Sequence, residues 1–235
     1  MLGMIVACTQ VLAELLARVI SDSFVSLNLD GVTQRSREVV LVTVVAFALA
    51  GLLEDLLSPK RPGGHFSVAR LQSSAAVARR IVVSLAAGLS TVAYLWEDEL
   101  GSRDALIDVA LVMLCANAFI VLNQKPARSA KTALVAMALT MLASGRSPYL
   151  AGISVVAGST TVLGVGELVG RLTLGSAGAG SIGAAVGVGV AMVSPSSISV
   201  LVALLAALVA WLAETGRLEA LFADGPLETF DRLGR

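Results

Sequence analysis

Residues 175–193 read GSAGAGSIGAAVGVGVAMV, with no charge, no proline and two hydroxyls, at Ser176 and Ser181. A helix needs about 20 apolar residues, with a tolerated range of about 17 to 25, to cross the hydrocarbon of a bilayer. In lipid every backbone group must be satisfied within the segment, so an apolar run of this length reads as a helix despite its glycines. Gly175, Ala179, Gly183, Gly187 and Ala191 fall four residues apart, which leaves one face of that helix a groove almost free of side chains. Lipid tails are as apolar as leucine, so helices associate there by close packing and hydrogen bonds rather than by burial from water. A flat face therefore predicts that another backbone lies in it. The preceding run, with Gly158, Gly164, Gly166 and Gly170, is one candidate, and a second copy of the chain or a membrane-complex partner is the other.

Working outward, seven further apolar runs appear, giving spans near 3–20, 38–57, 81–96, 105–123, 132–145, 148–170, 175–193 and 197–213. The fifth is the shortest and the one open to a re-entrant path. Composition agrees: 56% of residues are hydrophobic and 14% charged, and mean hydropathy is +0.85, against about a quarter charged in soluble domains. The expected fold is all-α, a polytopic integral membrane protein with about eight transmembrane helices in one bundle over residues 1–213. Residues 214–235 form a short amphipathic tail. The 17 basic and 17 acidic residues cancel, so no global field argues for nucleic acid.

Loop charge orients the bundle. Residues 58–80 hold Lys60, Arg61, Arg70, Arg79 and Arg80 with no acid, which marks a cytoplasmic loop. Alternation places Lys125, Arg128, Lys131, Arg171, Arg217, Arg232 and Arg235 on the same side, against Arg35, Arg37, Arg103 and Arg146 outside. Both termini are then cytoplasmic. Trp96, Tyr149 and Trp211 fall at span ends, where aromatic belts lie. The opening Met1-Leu2-Gly3-Met4 has no basic residue, and Glu14 and Arg18 interrupt the run behind it, so it reads as a retained span and not a signal peptide. Arginine outnumbers lysine 14 to 3, which suggests the cell membrane of a high-GC prokaryote. In the tail, Leu218, Leu221 and Phe222 are expected on the membrane surface, with Arg217 and Glu219 toward water.

A charge at mid-bilayer is expensive, so retained ones are functional candidates. Gln10, Glu14 and Arg18 form a stripe along one face of the first span, with Glu14 the deepest. Asp108 and Asn117 of the fourth span match Arg18 and Gln10 in depth, so Arg18–Asp108 and Gln10–Asn117 contacts are expected, leaving Glu14 between them. The hydroxyls of Thr160 and Thr161 are expected to bond back to their own helix. Glu54, Asp55, Glu167 and Arg171 are shallow enough to reach the headgroups.

Few enzyme classes survive. No catalytic, cofactor or metal site is expected, since His65 is the one histidine and Cys8 and Cys115 lie in separate apolar runs without redox spacing. Gly178-Ala-Gly180-Ser-Ile-Gly183 has dinucleotide-loop spacing but no preceding strand and no acid before Glu214, so it reads as helix packing. Gly164-Val-Gly166-Glu167 carries glutamate where an intramembrane aspartyl protease needs aspartate. The leading expectation is translocation of an ion or small solute along Gln10, Glu14, Arg18, Asp108 and Asn117. A scaffolding membrane subunit is the alternative, and a lipid-modifying enzyme built on Glu54, Asp55 and the basic loop is third.

Overall fold

The structure is a computed structural model that describes residues 2–23, 31–57, 88, 102–123, 128–145, 147–168 and 174–218. Among them there is no strand, and seven α-helices follow one another: α1 (Leu2–Ser23), α2 (Gly31–Leu57), α3 (Ser102–Leu122), α4 (Arg128–Ser144), α5 (Ala151–Leu168), α6 (Gly175–Val193) and α7 (Ser196–Glu214). Among the described residues, five segments are long and apolar enough to cross a membrane: Gln34–Leu53, Ala105–Leu122, Pro148–Glu167, Gly175–Val193 and Ser196–Ala213. The apolar part of α1 is the shorter Ile5–Leu16. The span expected at 81–96 lies outside the described residues, apart from Gly88, which is helical and buried.

The glycine-rich helix is the axis of the fold. Of Gly175–Val193, 83% is buried, against 28% of Ser196–Ala213. Its flat face is filled from within the chain, chiefly by α3: a Cβ on Gly183 would stand 2.7 Å from the Cys115 carbonyl oxygen, and one on Gly187 would stand 2.8 Å from the Val112 Cα. On another side α2 comes equally close, with Gly51 against Ala177 and Ser176. α5, the neighbour suggested by its own glycines, meets α6 through Ile153 at Gly189. Gly158 of α5 has nothing within 4 Å of where a side chain would go. The main core runs through Val40, Val44 and Phe47 of α2, Val112 and Phe119 of α3, Met137 of α4, Ile153 of α5 and Ile182 of α6.

These contacts set the directions of the helices. The C-terminal halves of α2 and α3 both meet the N-terminal half of α6, through Gly51 and Asn123 respectively. Leu57 and Ser102 therefore stand toward opposite ends of the bundle. α4 is one continuous helix with no turn back: Ala130, near its start, faces Gly164, and Thr140, near its end, faces Gly189. Its 17 residues make about 25 Å of helix, a little under the roughly 30 Å of a bilayer's hydrocarbon.

α7 leaves α6 through Ser194-Pro195 and lies on α3, where Ala203 and Ala206 pack against Leu111, Cys115 and Ala118. Gly216, at φ 71°, turns the chain after α7, a conformation that glycine adopts at no steric cost. Leu218 is thereby buried against Val121, Leu122 and Ala213 and not laid on a membrane surface. Arg217 sits over the half-exposed Trp211 ring, 5.7 Å from its centroid. Leu221, Phe222 and the rest of the tail lie outside the described residues.

Candidate functional site

Glu14 is 6% exposed and Gln10 is 3% exposed, one helical turn apart on the same inward face of α1. That face turns to α2, α5 and α6, since α1 packs on those three helices, while α3 packs on α6, α7 and α4. The first and fourth spans of the sequence reading thus share α6 as a neighbour and do not run along one another. Gln10 Oε1 and Asn117 Oδ1 are both buried and neither accepts a hydrogen bond, so the Gln10–Asn117 bond is not made. Asn117 follows Val109 and Met113 at four-residue spacing on α3, the side that a Cβ on Gly88 would meet at 3.1–3.2 Å. Asp108 is buried near the start of the same helix. The Arg18 side chain lies outside the described residues, as does the expected Arg18–Asp108 pair.

Among the described side chains, one cation that reaches Glu14 comes from α2. Arg37 Nε stands 3.9 Å from Glu14 Oε2, with side chains 14% and 7% exposed. Residue 37 is the fourth of the apolar segment Gln34–Leu53, so its guanidinium enters the bundle from that end. Nearby, Gln34 Nε2 donates to Glu38 Oε1 at 3.2 Å on the exposed side, and Ser36 Oγ donates to the Tyr149 carbonyl, tying α2 to the start of α5. Counting loop charge assigned Arg37 to an external loop. The signal for its inward role is that Arg37 stands two residues before the apolar run that begins at Val39, whose antiparallel neighbour carries a deep acid.

A second polar cluster gathers where α6 begins. Asn123 Nδ2 donates to the Gly175 carbonyl at 3.1 Å, and Ser129 Oγ donates to Asn123 Oδ1 at 3.0 Å. Ser176 Oγ donates to the Gly51 carbonyl at 2.9 Å, and the Leu174 backbone N–H donates to Glu167 Oε1 at 3.2 Å. Arg128, 1% exposed, opens α4 in the same region. Glu167, expected at the headgroups, is 2% exposed because its carboxylate is drawn inward by the Leu174 amide. In the sequence Arg128 counts only as a loop charge, and Asn123 and Ser129 carry no signal, because short polar loops between spans look like solvent-facing turns.

The remaining polar residues act locally. Thr160 and Thr161 donate to Val156 and Ala157 carbonyls, both at 2.8 Å, within their own helix. Cys8 and Cys115 are free thiols, the first exposed and the second buried. Beside the charged pair, an open groove of about 430 Å³ runs between Ala7–Leu15 of α1 and Val45–Leu49 of α2, and its lining is apolar throughout. Among the described residues no group of three His, Cys, Asp or Glu side chains gathers to hold a metal. A carboxylate, a guanidinium and an amide oxygen without a protein donor can bind an ion or relay a proton. No family model matches this chain, and neither the curated proteins nor the solved structures contain one similar to it.

Proposed function

We propose that this chain is an integral membrane protein of about eight spans, residing in a prokaryotic cell membrane with both termini cytoplasmic, and that it translocates an ion or small solute. Five apolar helices of spanning length support the membrane setting, and the excess of lysine and arginine in alternate loops supports the orientation. The Glu14–Arg37 pair carries the activity. Removing two charges from water costs several kcal/mol per ion before their mutual attraction offsets it, and apolar residues of similar volume often serve stability as well. A pair kept at that cost inside an apolar bundle, with Gln10 one turn away, marks a route for a polar passenger.

Glu14→Gln removes the charge and preserves the shape. In proteoliposomes it is expected to abolish flux of the transported species while the detergent-solubilised protein elutes unchanged in gel filtration. Wild-type flux through Glu14→Gln would overturn the assignment.

A second reading, a subunit that scaffolds a larger membrane assembly, is supported by α7. Leu201, Leu204, Leu205 and Leu208 are all exposed on it. Since α2 and α3 fill the glycine face, a partner would use this outer helix. Leu204→Arg with Leu208→Arg should then release a co-purifying subunit without affecting flux.

A further inference from the structure

The open groove between α1 and α2 has an apolar lining and holds about 430 Å³, within the roughly 300–1,000 Å³ of small-molecule sites. Leu12 and Leu15 of α1 and Leu49 of α2 stand about half exposed along it. Its two walls are antiparallel, so the end marked by Leu15 is the end where Arg37 stands. Leu15 follows Glu14 in the chain, and the Glu14 carboxylate is 3.9 Å from Arg37 Nε. Arg37 is also the fourth residue of the apolar segment Gln34–Leu53, about 5 Å below its start, with Leu49 about 18 Å further in along the helix. Guanidinium and groove together therefore cover about one leaflet of a bilayer whose hydrocarbon is roughly 30 Å thick.

Arg37 Nε is buried and makes no hydrogen bond. Its approach to Glu14 at 3.9 Å is longer than the roughly 2.7–2.9 Å of a charge-assisted hydrogen bond, so that contact leaves the Nε donor unused. Arginine presents its donors in a planar fork that matches phosphate. A soluble solute has no use for an apolar groove that opens on lipid tails. A spanning helix would run past Leu49 into the other leaflet, and its backbone groups, bonded within the helix, bring no acceptor to Arg37. We propose that the groove holds a phospholipid of the adjoining leaflet, with one acyl chain between α1 and α2 and the phosphate oxygens accepting from Arg37. Glu14 is not a ligand in this arrangement, and the binding holds whether or not the chain transports anything.

The test uses the full chain, purified in detergent and washed free of lipid. Thermal unfolding is followed while dioleoylphosphatidylglycerol, dioleoylphosphatidylcholine or dioleoylglycerol is added in mixed micelles. Both phospholipids are expected to raise Tm saturably. Dioleoylglycerol, which has the tails and no phosphate, should need about tenfold more or fail, as befits loss of a bond to a charged group. Arg37→Gln should bring the three lipids together by weakening the two phospholipids. Cys8→Trp, which fills the groove from its exposed edge, should weaken all three alike. Equal half-saturation by the three lipids in the wild type overturns the phosphate contact without recourse to a variant, and so does an unchanged preference in folded Arg37→Gln. Absence of any saturable effect, or wild-type binding by Cys8→Trp, removes the lipid from the groove. A gel-filtration dimer that Cys8→Trp splits, with Tm indifferent to lipid, would overturn the proposal and assign the groove to a second copy of the chain.

Discussion

Where α6 begins, Asn123, Ser129, Glu167 and Ser176 each bond to backbone or to one another at 2.9–3.2 Å, joining α2, α3, α4, α5 and α6 at one place. In the α1–α2 seam, by contrast, one long ion pair at 3.9 Å accompanies an amide oxygen that accepts nothing. Both clusters are buried in apolar surroundings, so burial alone does not separate structure from function. Each also holds buried atoms that make no hydrogen bond, Arg128 Nη2 and Glu167 Oε2 in the first and Arg37 Nε and Gln10 Oε1 in the second. What separates them is reach: short hydrogen bonds tie five helices together in the first, whereas in the second a long ion pair joins two. The first cluster is read as a latch and the second as the candidate site.

The strongest way to break that contrast is to remove the axis on which both clusters depend. Gly183→Leu would drive a side chain into the Cys115 carbonyl and the Phe119 Cβ, which a glycine Cβ alone would meet at 2.7 and 2.8 Å. Backbone cannot yield as a flexible side-chain tip does, so a destabilisation of about 4 kcal/mol or more is expected. It would appear as loss of monodisperse protein in detergent. Gly158→Leu is the internal control: with nothing within 4 Å of that position, its effect should stay within about 0.5 kcal/mol. Equal behaviour of the two would show that α3 does not seal the glycine face.

The latch itself is tested by Asn123→Ala, which deletes the bond to the Gly175 carbonyl and the acceptor for Ser129. Two lost hydrogen bonds and the polar atoms they strand are expected to cost about 2 kcal/mol, read as a lower midpoint in denaturant. Ser176→Ala, which frees one carbonyl on Gly51, should cost about half as much. Wild-type midpoints in both would mean that this end is held by apolar packing alone.

What could be read from residue order follows the same division. The four-residue recurrence of Gly183, Gly187 and their neighbours announces a flat face, because periodicity along one helix is local information. Which helix fills the face is not local: glycines on 148–170 made it the expected neighbour, yet α3, with Val112, Cys115 and Ala116 at the contact, came closer. Glu14 was legible as a deep charge, since depth follows from position along a span. The approach of Arg37 was not. Depth matched Glu14's stripe to Asp108 and Asn117 on α3, but depth says nothing about which side of the bundle a helix occupies, and α2 brings Arg37 Nε to 3.9 Å from Glu14. Arg128 and Glu167 were hidden for another reason: both lie at span ends, where polar residues ordinarily meet water, and here the junction of several helices covers them.

The smallest expected effect sharpens the contrast most. Gln10→Leu replaces a carboxamide whose oxygen accepts no protein hydrogen bond with an apolar side chain of similar length. Removing a buried acceptor that nothing satisfies relieves a desolvation penalty, whereas removing a bonded one exposes its partner. The variant should therefore lie within about 1 kcal/mol of the wild type and on the stable side. In this it differs in sign from Asn123→Ala, although both replace one amide in one apolar bundle. If the chemical midpoint of Gln10→Leu falls as far as that of Asn123→Ala, Gln10 is part of a second latch, and the seam between α1 and α2 is built for stability as the other end is.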